Sequence, residues 1–135
     1  MKILISEVIK TRSASNAAIK NTTSDTFIDG YYPAFSASGQ YVWLPDYRFD
    51  DPGIVVSAVG ARCGKAFKAD EKWSACANTY SLFVDNTKAD RDYFWCMFNN
   101  ESWWEKGGTA QLFVKVKASL NREIDLPDSE TQKIL

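Results

Sequence analysis

Gly53-Ile54-Val55-Val56-Ser57-Ala58-Val59-Gly60-Ala61-Arg62-Cys63-Gly64-Lys65 is the stretch that decides how this chain is read. Gly53 to Val59 is a continuous apolar run, the mark of a strand buried on both faces. Asp50-Asp51-Pro52-Gly53 leads into it as a strong turn, since proline presets φ and glycine accepts positive φ. Gly60 to Gly64 reads as a tight, glycine-bounded turn leading out. Lys65-Ala66-Phe67-Lys68-Ala69 then alternates cation and apolar residue, as a half-exposed strand does.

Upstream, Tyr32-Pro33-Ala34-Phe35-Ser36, a Ser38-Gly39 turn and Gln40-Tyr41-Val42-Trp43-Leu44 read as a hairpin or two short strands. Residues 11–26 are rich in Thr, Ser, Asn and Ala and read as a loop or a weak helix. Leu4 to Ile9 fits a strand or a single helical turn. Downstream, Asn78 to Val84 is a strand with Tyr80, Leu82 and Val84 on one face. Asp90 is placed to cap a helix from Arg91 to Phe98. Ser102-Trp103-Trp104-Glu105 has capping-box spacing and predicts a short helix ended by Gly107-Gly108. Phe113-Val114-Lys115-Val116 is ambiguous, and Ile124 to Pro127 reads as a brief strand. Ser129 and Gln132, again at capping-box spacing, predict a last helix that the sequence leaves only about two turns long. A helix so short is expected to continue in a longer protein, or to be the cut end of an excised domain. The expected fold is α/β (α+β): one mixed domain with a small twisted β-sheet and short helices packed on it.

At 135 residues the chain is one domain, long enough to bury a core. Hydrophobic content of 45% against 24% charged predicts a globular protein rather than a disordered one. No apolar stretch approaches the ~18 residues of a membrane span. The start, Met1 to Glu7, turns acidic too early for a signal peptide, so a cytoplasmic protein is expected. The cysteines Cys63, Cys76 and Cys96 are odd in number and lack CxxC spacing, which supports neither a disulfide framework nor a zinc ribbon. Histidine is absent, which removes Ser–His and Cys–His catalysis and His-ligated zinc together.

Net charge is −1, but the local balance is uneven. Residues 106–122 hold Lys106, Lys115, Lys117 and Arg122 and no acid. Residues 57–72 hold Arg62, Lys65, Lys68 and Lys72 against Asp70 and Glu71, while residues 123–135 are mostly acidic. This predicts a polarised surface if the fold gathers the basic clusters, and an ordinary mixed surface if it does not. The Gly60–Lys65 turn has neither Walker A nor dinucleotide spacing. Two readings stay open: a phosphate seat made of backbone N–H groups beside Arg62 and Lys65, or a turn that needs glycine for geometry. Gly108-Thr109-Ala110-Gln111 is likewise either a base-reading element, since glutamine pairs with an adenine edge, or a polar loop. The tryptophans Trp43, Trp73, Trp95, Trp103 and Trp104 fit core packing, base stacking or carbohydrate binding.

Taken in order, five pieces of the chain resemble the target recognition domain of type I restriction–modification specificity (S) subunits. They are Tyr32 to Gly39, Pro52 to Lys65, Ala77-Asn78-Thr79, Trp104 to Gln111 and Leu126 to Ile134. Two positions depart from the pattern: Asp128-Ser129 stands where the family has a second Pro followed by Leu. The resemblance implies a recognition domain over residues 1–125 and the start of a conserved spacer helix over residues 126–135. It implies a host-defence module that binds one half of a bipartite site on double-stranded DNA and positions a partner adenine methyltransferase, the modification subunit. The restriction subunit would join indirectly, and a half-S chain would form a homodimer. No cofactor is implied for this chain; S-adenosylmethionine, Mg and ATP belong to partner subunits. No chemistry is implied either, so the chain is not expected to be an enzyme. Residue type then assigns Arg62, Lys65, Lys68, Lys115 and Lys117 to phosphates, and Ser36, Ser38, Gln40, Thr109 and Gln111 to base edges. A second reading is a protein-interaction module that holds a methyltransferase subunit without reading DNA.

Overall fold

The Gly53 run forms an interior strand of a four-stranded antiparallel sheet in the computed structural model. The structure describes residues 1–12, 24–37, 41–61, 63–76 and 78–134. In chain order the elements are β1 (Lys2–Leu4), a 3-10 turn (Ile5–Glu7), β2 (Ile9–Arg12), β3 (Tyr32–Phe35), β4 (Tyr41–Leu44), β5 (Gly53–Ser57), β6 (Ala66–Ala69), β7 (Ser74–Ala75), β8 (Thr79–Val84), α1 (Arg91–Phe98), β9 (Lys106–Gly107), β10 (Phe113–Val114), α2 (Val116–Leu120), β11 (Glu123–Asp125) and α3 (Ser129–Ile134). The large sheet has the order β2-β8-β5-β6. A second sheet, β4-β3-β7, pairs β3 antiparallel to β4 and parallel to β7. Two small ladders complete the fold: β9 with β10, and β1 with β11.

β5 reads as an unbroken apolar run because both of its faces are covered. Ile54 and Val56 join Leu82, Phe94, Phe98, Trp104, Ile5 and Val114 on one side. Val55 joins Phe35, Phe49, Trp73 and Phe83 on the other. The expected face of β8 is observed, with Tyr80, Leu82 and Val84 on the first cluster. Trp73 is fully buried, stacks on Phe83 with ring centroids 5.7 Å apart, and donates Nε1–H to the Asp51 carbonyl at 2.7 Å. Buried Trp104 donates to the Phe98 carbonyl at 2.8 Å. Trp95 donates to the Ala66 carbonyl at 3.1 Å, and Asn99 Oδ1 accepts from Ala66 N–H. These last two bonds close part of the outer edge of β6, which blunts strand-to-strand association there.

The β3–β4 hairpin and α1 appear where the sequence puts them. Three local expectations are corrected. Ser102 to Glu105 is a turn, not a helix: Asn100 draws the chain round, its carbonyl accepting from Trp103 N–H and its side chain from Ser102 N–H. The segment then runs straight into β9. At α1, Asp90 holds the N-cap position without a side-chain cap, and its own N–H donates to Gln132 Oε1 at 2.8 Å. At α3, the cap is Asp128, whose Oδ1 accepts from Thr131 N–H at 2.8 Å. Gln132 does not reach back to Ser129; it is buried and spans α3 to Asp90 and to the Pro127 carbonyl. The proposed Ser38-Gly39 turn and most of residues 11–26 lie outside the described residues. Among the described residues, no helix is long and apolar enough to cross a membrane.

Candidate nucleic-acid interface

Strand direction gathers the loops. In an antiparallel sheet the end of one strand lies beside the start of its neighbour. The ends of β2 and β5 and the starts of β6 and β8 therefore lie at one end of the large sheet. The second sheet delivers the ends of β3 and β7 to the same place, because β7 leads directly into β8. Cys76 N–H donates to the Phe35 carbonyl at 2.8 Å, and Ala58 N–H to the Asn78 carbonyl at 2.9 Å. The β9–β10 hairpin is tied to this end as well. Gly60 N–H donates to the Leu112 carbonyl at 2.9 Å, Val114 N–H to the Ala58 carbonyl at 2.8 Å, and Val59 bridges Phe113. The two glycine-bearing elements that stand fifty residues apart in sequence are thus neighbours.

The same geometry sorts charge. The segments that feed this end, residues 30–45, 52–69, 72–84 and 106–122, contain no acid. The acids follow or precede the opposite ends of the strands: Asp46 after β4, Asp50 and Asp51 before β5, Asp70 and Glu71 after β6, Asp85 after β8. Three cations near those acids are paired, while Lys10, Lys72 and Lys133 are in no ion pair among the described residues. Arg91 bonds Asp70 and Asp92 at 2.8 Å each, Arg12 meets Asp51 at 3.5 Å, and Lys88 meets Asp85 at 3.9 Å. Among the described residues, Lys65, Lys68, Lys115 and Lys117 are in no ion pair. Their charge is available to a polyanion.

The structure brings Ser36, Lys65, Thr109 and Gln111 to the loop end, and Lys117 to a groove beside it. Thr109 and Gln111 are exposed at the hairpin tip, and Ser36 is half-buried where β3 ends. Lys117 lines the groove, which has a volume of about 580 Å³, together with Thr11, Asn78, Thr79 and Asn121. Lys115 lies behind the tip, its N–H on the Glu105 carbonyl at 2.7 Å. Lys68 stands on the flank, roughly 10 Å along β6 from Lys65 at ~3.3 Å per residue, its Nζ 4.7 Å from the centre of the Trp95 ring. Ser38, Gln40 and Arg62 lie outside the described residues.

The Gly60–Gly64 turn resolves toward geometry. Three of its N–H groups are used within the protein: Gly60 to Leu112, Cys63 to the Gly60 carbonyl at 3.2 Å, and Gly64 to the Ser57 carbonyl at 2.8 Å. Gly64 has φ +98°, and a Cβ there would lie 3.0 Å from Trp104 Cδ1. Those amides are turned into the fold rather than toward a phosphate. Cys63 is fully buried, and burial pushes the Cys76 thiol up, so neither thiol is set up as a nucleophile. Among the described residues no three of Cys, Asp and Glu come together as a metal site.

The groove residues Thr11, Asn78 and Asn121 are absent from the sequence-based candidates. Asn78 had a signal: it belongs to the Ala77-Asn78-Thr79 piece and adopts φ +63°, a conformation asparagine tolerates better than most residues. Asn121 had none, because α2 is only five residues long and carries no helical pattern.

No protein-family model and no curated protein sequence matches this chain. Among solved structures it is similar to the type I restriction–modification system S subunit from M. genitalium, with a TM-score of 0.70 at 16% sequence identity. The match covers 99% of this chain and 36% of that one, so the chain spans little more than a third of that S subunit. The small mixed domain, with several antiparallel sheets and few helices, has the fold of part of a type I restriction–modification S subunit.

Proposed function

We propose that this chain is a DNA sequence-recognition module of a type I restriction–modification system. It reads one half of a bipartite duplex site, positions a partner adenine methyltransferase, and engages a restriction subunit only through that assembly. The observation that carries the reading is the convergence of acid-free, lysine-bearing loops at one end of the strands. A duplex meets cations there and no carboxylate from those segments, so the near-neutral net charge is no obstacle. Lys65, Lys68, Lys115 and Lys117, with Arg62, neutralise phosphates and set the register. Ser36, Ser38, Gln40, Thr109 and Gln111 approach base edges. Residues 126–135 begin the spacer helix, and a half-S chain pairs through it as a homodimer. The chain acts in the cytoplasm, and the chemistry, with its S-adenosylmethionine, Mg and ATP, resides in partner subunits.

The test is fluorescence-anisotropy titration of labelled duplexes of random sequence at rising salt. Five phosphate contacts, from the four lysines and Arg62, give a slope of log K against log salt of about −4 to −5. No binding, or binding that ignores salt, sinks the reading.

A second reading is favoured by one observation at the opposite end, where Phe27, Ile28 and Tyr47 are 62%, 41% and 37% exposed beside Asp25, Asp29 and Asp46. It is a module that holds a methyltransferase subunit without reading DNA. Co-purification with a modification subunit, in the absence of any duplex binding, selects it.

A further inference from the structure

The hairpin tip between β9 and β10 carries two large apolar side chains in the open: Leu112 is 38% exposed and Phe113 is 41% exposed. They sit in the acid-free segment 106–122, between Lys106 and Lys115 in sequence and next to Gln111. A single exposed leucine is ordinary. An exposed apolar pair at the tip of a tied hairpin, flanked by cations, is not explained by packing.

The tip is held firmly. Gly108 has φ +91°, and a Cβ there would run into the Gln111 carbonyl, so no side chain fits. The Phe113 ring lies against Gly107, where a Cβ would meet Phe113 Cζ at 2.7 Å. The Leu112 carbonyl is fixed by Gly60 N–H, and Val114, two residues on, is buried. Leu112 is therefore presented from a backbone pinned on both sides, as an inserting group needs to be. A surface that combines cations with a rigid apolar point suits a partner with negative charge outside and stacked apolar rings inside. A DNA duplex is such a partner: apolar wedges enter between base steps, unstack them and bend the helix while cations hold the backbone.

We infer that Leu112, backed by Phe113, is an apolar wedge that inserts between base steps of the bound duplex and bends it, so that part of the sequence preference comes from how easily a step unstacks. This inference rests on the DNA-recognition reading. An anionic membrane also combines negative charge with an apolar interior, but Thr109 and Gln111 on the same tip suit base edges better than lipid.

The experiment uses the whole chain and duplexes enriched by it from a random-sequence library. Each duplex is labelled at both ends for energy transfer and carries 2-aminopurine at scanned positions. Wild-type protein is expected to raise energy transfer and to brighten 2-aminopurine at one step. Leu112→Ala keeps the thermal midpoint and the salt slope but loses roughly half or more of both signals, and Leu112→Met retains them. An alanine variant that bends DNA like wild type overturns the wedge and leaves DNA recognition standing, as does wild-type binding with neither signal. Failure to enrich any duplex, with Leu112-dependent binding to phosphatidylserine vesicles instead, overturns both.

Discussion

Gly53 opens β5 with its Cα against the aromatic cluster around Trp73. A Cβ at this position would lie 2.6 Å from Trp73 Cζ2 and 3.1 Å from the Leu82 carbonyl oxygen. Trp73 cannot retreat: it is fully buried and its Nε1 is held by Asp51. Gly53→Ala is expected to cost about 1–3 kcal/mol through overpacking, read as a lower urea midpoint with an unchanged m-value. An unchanged midpoint would mean that the sheet and the indole can shift apart. Gly53 also marks how far sequence carries at this scale. The Asp-Pro-Gly pattern predicted a turn with the glycine there for φ freedom, whereas the chain only bends at Asp51 and Gly53 already opens β5. Its φ is not among the positive ones; what excludes a side chain is a tryptophan twenty residues away. A local pattern reports local geometry, and this contact is not local.

Elements with a strong repeating signal were legible, and those set by a distant partner were not. β5, the β3–β4 hairpin, β8 and the bounds of α1 follow from apolar runs and turn residues. The Ser102–Glu105 box failed because the Asn100 turn and the β9–β10 ladder claim the same backbone. The last helix shows the difference within one element. Its existence was readable, but its cap is Asp128, and its Gln132 is drawn away to α1. The Thr131 N–H bond holds the Asp128 carboxyl below its ordinary range. A carboxylate with a lowered folded pKa contributes stability that is full above the unfolded value and is lost as pH falls through the folded one. Acidification should therefore fray α3, seen as a falling amide protection factor at Thr131, while Asp128→Asn shows no such step. Equal acid response in the two proteins would exclude the cap as the cause.

At the scale of the whole molecule, the proposed function rests on polarity, and it is the property that sequence reading could state only conditionally. Lys65, Thr109 and Gln111 were identifiable by residue type. Their convergence was not, because it depends on the order β2-β8-β5-β6 and on β7 passing directly into β8. Once that order is fixed, the acid-free segments converge and bring Lys65 to the loop end, with Lys117 in the groove beside it. If DNA binds the loop end, where charge is removed matters more than how much. Lys65→Gln with Lys117→Gln should reduce the salt slope by about 2, since each phosphate contact contributes ~0.9. Lys88→Gln with Lys133→Gln removes the same charge from the acidic side, where Lys88 meets Asp85 and Lys133 borders a cleft shared with Asp85 and Asp90. That pair should leave the slope unchanged. Equal losses from the two double variants would mean that DNA responds to net charge alone, and the loop end would lose its claim to be the interface.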